Sequence, residues 1–238
     1  MILQDILKDL TYGELQGLRI GNLLPGEAES EPDPHQYEQI ISYINLGMTE
    51  IYKRFFLRSQ EIYIQEHAEI STYLLHSDYS FINTLSPILE SERYIIDTAL
   101  DPFLDNILKI EEVYDEAGVK LPLNDITEEL SVYTPTFRSI QVPYPDDNTT
   151  ISIQYRANHP RISASISTEA ADVEVAIPNS LYEALLYFVG SRAHRATNVE
   201  KSSDYWQMFK KSVDDVDRLG LEVQGEPGDW RFDDHGWV

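Results

Sequence analysis

Tyr37, Ile40, Ile41, Ile44, Met48, Ile51, Tyr52 and Phe55 follow at helical steps through YEQIISYINLGMTEIYKRF, a continuous apolar stripe down one face. Asp33 and Gln36 supply a D-x-x-Q capping box ahead of it, with Pro34 at the first helical position. Leu3, Ile6, Leu7 and Leu10 predict an earlier helix from Leu3 to about Leu18, weakened in its second half by Gly13, Gly17 and Gly21. Between the two lies GNLLPGEAESEPDPH, an exposed loop by its Pro, Gly and Glu content. Helical spacing returns in IPNSLYEALLYFVGSRAHRA, where Ser180 and Glu183 form an S-x-x-E box. After the polar turn ATNVEKSS, Tyr205, Phe209, Val213 and Val216 share one face with Met208 beside them, and Gly220 is the expected stop. The last two helices predict an antiparallel hairpin.

The period changes between Ser59 and Ile177. EIYIQ, ILKIEEVY, SIQVPY, TISIQYRA, RISASIS and DVEVAI alternate or are rich in β-branched residues, with turn material between them. PYPDDNTT separates two of these runs as a hairpin turn would, and Pro143 and Pro145 place the first of them at an edge or exposed tip. SFINTLSPILESERYIIDTALDPF predicts a short helix or irregular connections. The fold class is therefore α+β: a helical domain from residues 1–57 and 178–220, an inserted antiparallel β-rich domain at 58–177, and an extended C-terminal tail at 221–238.

The 238 residues carry 18 Lys and Arg against 41 Asp and Glu, a formal net charge of −23. No basic stripe suited to gripping phosphates is visible, so the chain reads as a protein-binding partner or as a surface along which nucleic acid slides. Without cysteine, disulfides, thiolate metal sites and Cys nucleophiles are excluded. No apolar run reaches membrane-spanning length, and MILQDILKDL lacks a signal layout, so a soluble product assembled inside a cell and without membrane contact is expected.

Leu181, Leu185 and Phe188 cluster on one side of the helix that carries SRAHR, and Ala184, Val189, Tyr182, Ala193 and Leu186 widen the apolar arc past half the circumference. Such a helix is covered by its own domain and by a neighbour. Arg192 falls within the arc, where it meets a carboxylate (Asp204, Asp214, Asp215 or one on another subunit) or snorkels to water. His194 projects to the opposite, polar side. Leu185, Phe188, Arg192 and Phe209 are thus the candidate subunit-packing residues. In the tail, Trp230, Phe232 and Trp237, with Arg231 between the first two, form a candidate anchor that docks in a groove on a partner.

Catalytic signatures are missing from the text. The six histidines form no ligand pair, and there is no G-x-S-x-G, P-loop or G-x-G-x-x-G. Asp146-Asp147, Asp214-Asp215 and Asp233-Asp234 are pairs that 41 acids produce by chance, and DPFLDN lacks the spacing of a calcium loop. No catalytic, metal or cofactor site is expected, and no cofactor.

YGEL near the start, YINLGMTEIYKRFFLRSQEIYI, the β region, and ALLYFVGSRAHRA followed by YWQMFKKSVDDV together resemble the head-to-tail adaptor (connector) proteins of short-tailed bacteriophages. The resemblance implies a non-enzymatic virion protein in the neck between capsid and tail. It implies a closed homo-oligomeric ring, usually a dodecamer, that meets the portal protein on one side and tail or nozzle proteins on the other, with DNA passing transiently and without specificity. A tail-tube or tail-completion protein is the related alternative. An acidic DNA mimic would need carboxylates spaced like phosphates on one face, and a hydrolase would need a deep pocket of convergent acids.

Overall fold

A computed structural model describes residues 1–16, 18, 34–147, 149–163 and 173–221. Among the described residues, four helices come from the two ends of the chain: α1 (Leu3–Tyr12), α2 (Pro34–Arg54), α3 (Asn179–His194) and α4 (Val199–Leu219). Seven strands are described between α2 and α3 in sequence: β1 (Ser59–Gln65), β2 (Thr72–Leu74), β3 (Ile95–Ile96), β4 (Ile107–Tyr114), β5 (Lys120–Leu121), β6 (Ser139–Gln141) and β7 (Thr150–Ala157). Every strand pair is antiparallel, so the fold is α+β with helices from both termini flanking an antiparallel sheet in sequence. The chain divides into two compact units, one from the described residues of Met1–Phe56 and Pro160–Val238, the other Leu57–His159. No helix among the described residues is long and apolar enough to cross a membrane.

In the helical unit, α1 buries Leu3, Ile6, Leu7 and Leu10 as their spacing requires, but it stops at Gly13, well short of Leu18. α2 begins at Pro34, the expected first position, and all eight residues of its stripe are buried. Asp33, the expected cap, lies outside the described residues. α4 starts earlier than the polar turn suggested, because the Asn198 side chain accepts from the Lys201 N–H at 3.0 Å and caps it. It ends where expected: Gly220 takes the left-handed conformation, φ 63, and its N–H reaches back to the Asp217 and Val216 carbonyls.

The other unit is built on a five-stranded sheet, order β3-β1-β7-β4-β5, and a two-stranded sheet of β2 and β6. β7 pairs with β1 over seven residues, from Ser59 opposite Arg156 to Gln65 opposite Thr150. Ile62, Ile64, Ile151, Ile153, Tyr155 and Ala157 from these strands enter one apolar core with Tyr73 and Ile140 of the smaller sheet. The hairpin expected at PYPDDNTT does not form: β6 pairs with β2 and β7 with β1 and β4, so that segment crosses between sheets. The region from Asp78 to Phe103, expected to hold a short helix or irregular connections, is largely irregular, with 3-10 turns at Ser77–Tyr79 and Glu90–Glu92 and the short strand β3.

RISASIS and DVEVAI are not strands where they are described. Residues 161–163 and 173–177 belong to no strand and are joined to the helices by the Asn45 side chain on the Ile162 backbone and by an isolated bridge from Glu174 to Ile2. Ile162, Val175 and Ile177 are buried there. Their alternation reports a chain laid against helices, which gives the same period as a strand.

Candidate docking surface

α3 begins after Pro178, an extended residue with no side-chain cap, so the Ser180–Glu183 box does not cap it; Glu183 instead accepts from the Tyr187 hydroxyl at 2.5 Å. Leu181, Ala184, Leu185, Phe188 and Val189 are buried along the helix. The Phe188 ring meets Phe209 edge-on at 5.3 Å between centroids and tilts against Trp206 at 6.1 Å. From the other side α2 approaches at Gly47, where a Cβ would stand 2.7 Å from Leu185 Cδ1 and 2.9 Å from Phe188 Cδ1. Leu185, Phe188 and Phe209 are therefore used in the chain's own core, and Arg192 is the member of the candidate packing set that stays partly exposed.

Arg192 does not meet the carboxylates expected of α4. Asp214 binds Arg54 of α2 at 2.6 Å, with Asp217 at 3.4 Å, and Asp215 binds Arg218. Arg54 takes Asp214 and Arg218 takes Asp215, Asp204 is in no ion pair among the described residues, and Arg192 lays its guanidinium over the Phe188 ring, 5.2 Å from the centroid. Among the described residues it has no ion pair, so its charge is left for solvent or another molecule.

His194 is not on a polar face either. It is buried, its Nε2 lies 2.8 Å from the Glu14 carbonyl oxygen, and its ring stacks on Tyr205 at 5.5 Å. The cover is the segment after α1: Leu15 is buried, and Glu14 packs on Gly190, where a Cβ would stand 3.0 Å from Glu14 Cβ. A helical wheel of α3 alone cannot register that cover.

Glu14 gathers an acid cluster. Burial raises its carboxyl above the usual range, a backbone hydrogen bond opposes this, and Asp9 and Glu183 add to the rise. One carboxylate oxygen, Oε2, is buried without a partner, as is His194 Nδ1. Tyr182 donates to Asp9 at 2.6 Å, and its hydroxyl is pushed up by burial first and this bond second. Tyr187 is pushed up to about 12 by its bond to Glu183. No cation among the described residues pairs with Asp9, Glu14 or Glu183.

Two further acids named from sequence, Asp147 and Asp105, serve structure. Asp147 accepts from the Ala68 N–H, and Asp105 of DPFLDN accepts from the Ser77 N–H and hydroxyl. No group of three or more His, Asp and Glu among the described residues is placed to hold a metal. Trp230, Arg231, Phe232 and Trp237 lie outside the described residues, as do Asp233 and Asp234. Sequence reasoning passed over Glu14 and Trp206; the latter stood in YWQMF beside Tyr205, and Lys210 lies over its ring at 5.5 Å.

A protein-family model described as SU10 adaptor protein matches residues 10–230, nearly the whole chain. No curated protein matches it.

Proposed function

The chain belongs to the SU10 adaptor protein family and is a structural adaptor of a bacteriophage virion, and from that premise we propose that it forms a ring below the portal, joins capsid to tail and continues the DNA channel. The observation that carries this is the family match, which spans both units of the chain. Two physical features support it. A net charge of −23 makes a channel wall that repels the phosphate backbone and lets DNA pass without sticking. Arg192 has an accessible charge and no carboxylate within the described chain, which suits a heterologous contact where the next copy supplies one. The aromatic tail, with Trp230, Arg231, Phe232 and Trp237, is the proposed anchor on the adjoining ring.

Native mass measurement and electron microscopy of the purified protein, alone and with portal rings, test the proposal. Closed rings, or ring formation on the portal, are expected. Arg192→Glu should weaken assembly while melting like the parent, and deletion of residues 228–238 should spare the ring and abolish docking. A protein that stays a monomer beside intact portals would overturn the ring, and a truncated protein that still joins portals normally would overturn the anchor.

A further inference from the structure

The β-rich unit contains a cleft of about 500 Å3 whose chemistry the adaptor assignment does not explain. Leu121, Val132, Val142 and Ile151 line it with apolar surface, and Glu66, Asp115, Glu116 and Asp146 line it with carboxylates. Leu130 and Tyr144, also on its walls, are 64% and 65% exposed, so apolar surface continues outward from the cleft.

The acids of this cleft differ from those of the neighbouring strand β4. On β4, Glu111 is paired with Lys109 and Arg156, and Glu112 with Lys120. None of the four cleft acids has an ion pair among the described residues. Glu66 is 5% exposed; its Oε2 accepts from the Asp146 N–H at 3.1 Å and the Thr149 hydroxyl at 2.8 Å, and no cation compensates its charge. A buried carboxylate held only by neutral donors is costly, and a cation brought beside it recovers that cost.

We propose that this cleft is the docking site for an extended segment of an adjoining virion protein that presents a large apolar side chain next to Lys or Arg. The apolar lining takes the side chain and the acids take the cation. The volume suits one or two large side chains and not a folded domain. The chain's own C-terminal tail is the wrong occupant by charge, since Glu222, Glu226, Asp229, Asp233 and Asp234 stand against Arg231 alone. Nucleic acid is excluded by the same repulsion. The proposal rests on the adaptor assignment for the kind of partner, and on the cleft alone for its chemistry.

Because the chain has no cysteine, Glu116→Cys provides a single thiol at the cleft. With a maleimide probe it should label readily in the free protein, and more than about tenfold more slowly in intact phage particles, where a seated side chain excludes water. Equal rates in free protein and particles overturn the proposal, while incorporation of the variant into particles reports separately on the adaptor role. Charge is tested with Glu116→Lys/Asp146→Lys, both at exposed positions, against Glu90→Lys/Glu92→Lys on a 3-10 turn of the same unit. The cleft pair should reduce incorporation about thirtyfold or more, the effect of breaking desolvated charge contacts, with the control pair near normal. Equal behaviour of the two pairs removes the electrostatic half of the proposal and with it the stated partner chemistry.

Discussion

Glu14 holds a charge that the folded chain disfavours. Burial raises its carboxyl pKa, Asp9 and Glu183 raise it further, and its Oε2 has no partner. The folded state therefore binds this proton more tightly than the unfolded state. The stability it contributes is complete below the ordinary carboxyl range and is lost as pH rises through the raised value. Gln keeps the shape and removes the charge. Glu14→Gln is expected to raise the melting temperature at about pH 7.5 and to change it little at about pH 4, where the parent side chain is already protonated. Thermal melts at both pH values check this. A gain that is equal at the two values would place the effect in packing on Gly190 and not in charge.

At the scale of elements, the close approach of α2 to α3 depends on Gly47. A mid-helix glycine costs about 1 kcal/mol relative to Ala, so its presence needs a packing reason, and Leu185 and Phe188 supply it. Gly47→Val forces branched carbons against two buried side chains and should destabilise by about 2 kcal/mol or more. Urea unfolding of the full chain measures it; a neutral outcome would mean the two helices can separate freely. The sequence made α2 legible because one face carries the whole stripe, β7 legible as TISIQYRA because Ile151, Ile153, Tyr155 and Ala157 alternate into the core, and β4 legible as ILKIEEVY by its β-branched and aromatic content, since register shifts in its ladder with β7 set its buried Ile110 and Val113 three apart. It could not show partners. The false hairpin at PYPDDNTT had correct strands and wrong pairing, and RISASIS and DVEVAI had the period of strands laid against helices. At the candidate site, Arg192 stood out as a charge within an apolar arc, yet its neighbour proved to be a ring and not an acid, while Arg54 of a different helix takes Asp214. The cleft was invisible for a related reason: residues as far apart in the chain as Glu66, Asp115, Leu130 and Ile151 line it, and only folding brings them together.

For the whole molecule, charge sets the terms of assembly. In the proposed ring, copies that each carry −23 would have to approach one another, and the repulsion between them is long-ranged at low salt. The Debye length is about 30 Å at 0.01 M and about 8 Å at 0.15 M, so added salt removes most of that repulsion while leaving apolar contact intact. An exposed or half-exposed pair such as Arg192 with an acid of the next copy contributes on the order of 1 kcal/mol at most and is weakened by the same salt. Repulsion among many charges outweighs one such pair. Self-association should therefore strengthen as salt rises from about 0.01 to 0.15 M, opposite to the salt dependence of a protein that binds phosphates. Sedimentation velocity across that range measures it, and the same samples mixed with duplex DNA should show no co-sedimentation at any point. Association that weakens steadily with salt would mean that ion pairs, with Arg192 foremost, hold the copies together against the net charge. In that case Arg192→Ala would abolish the slope.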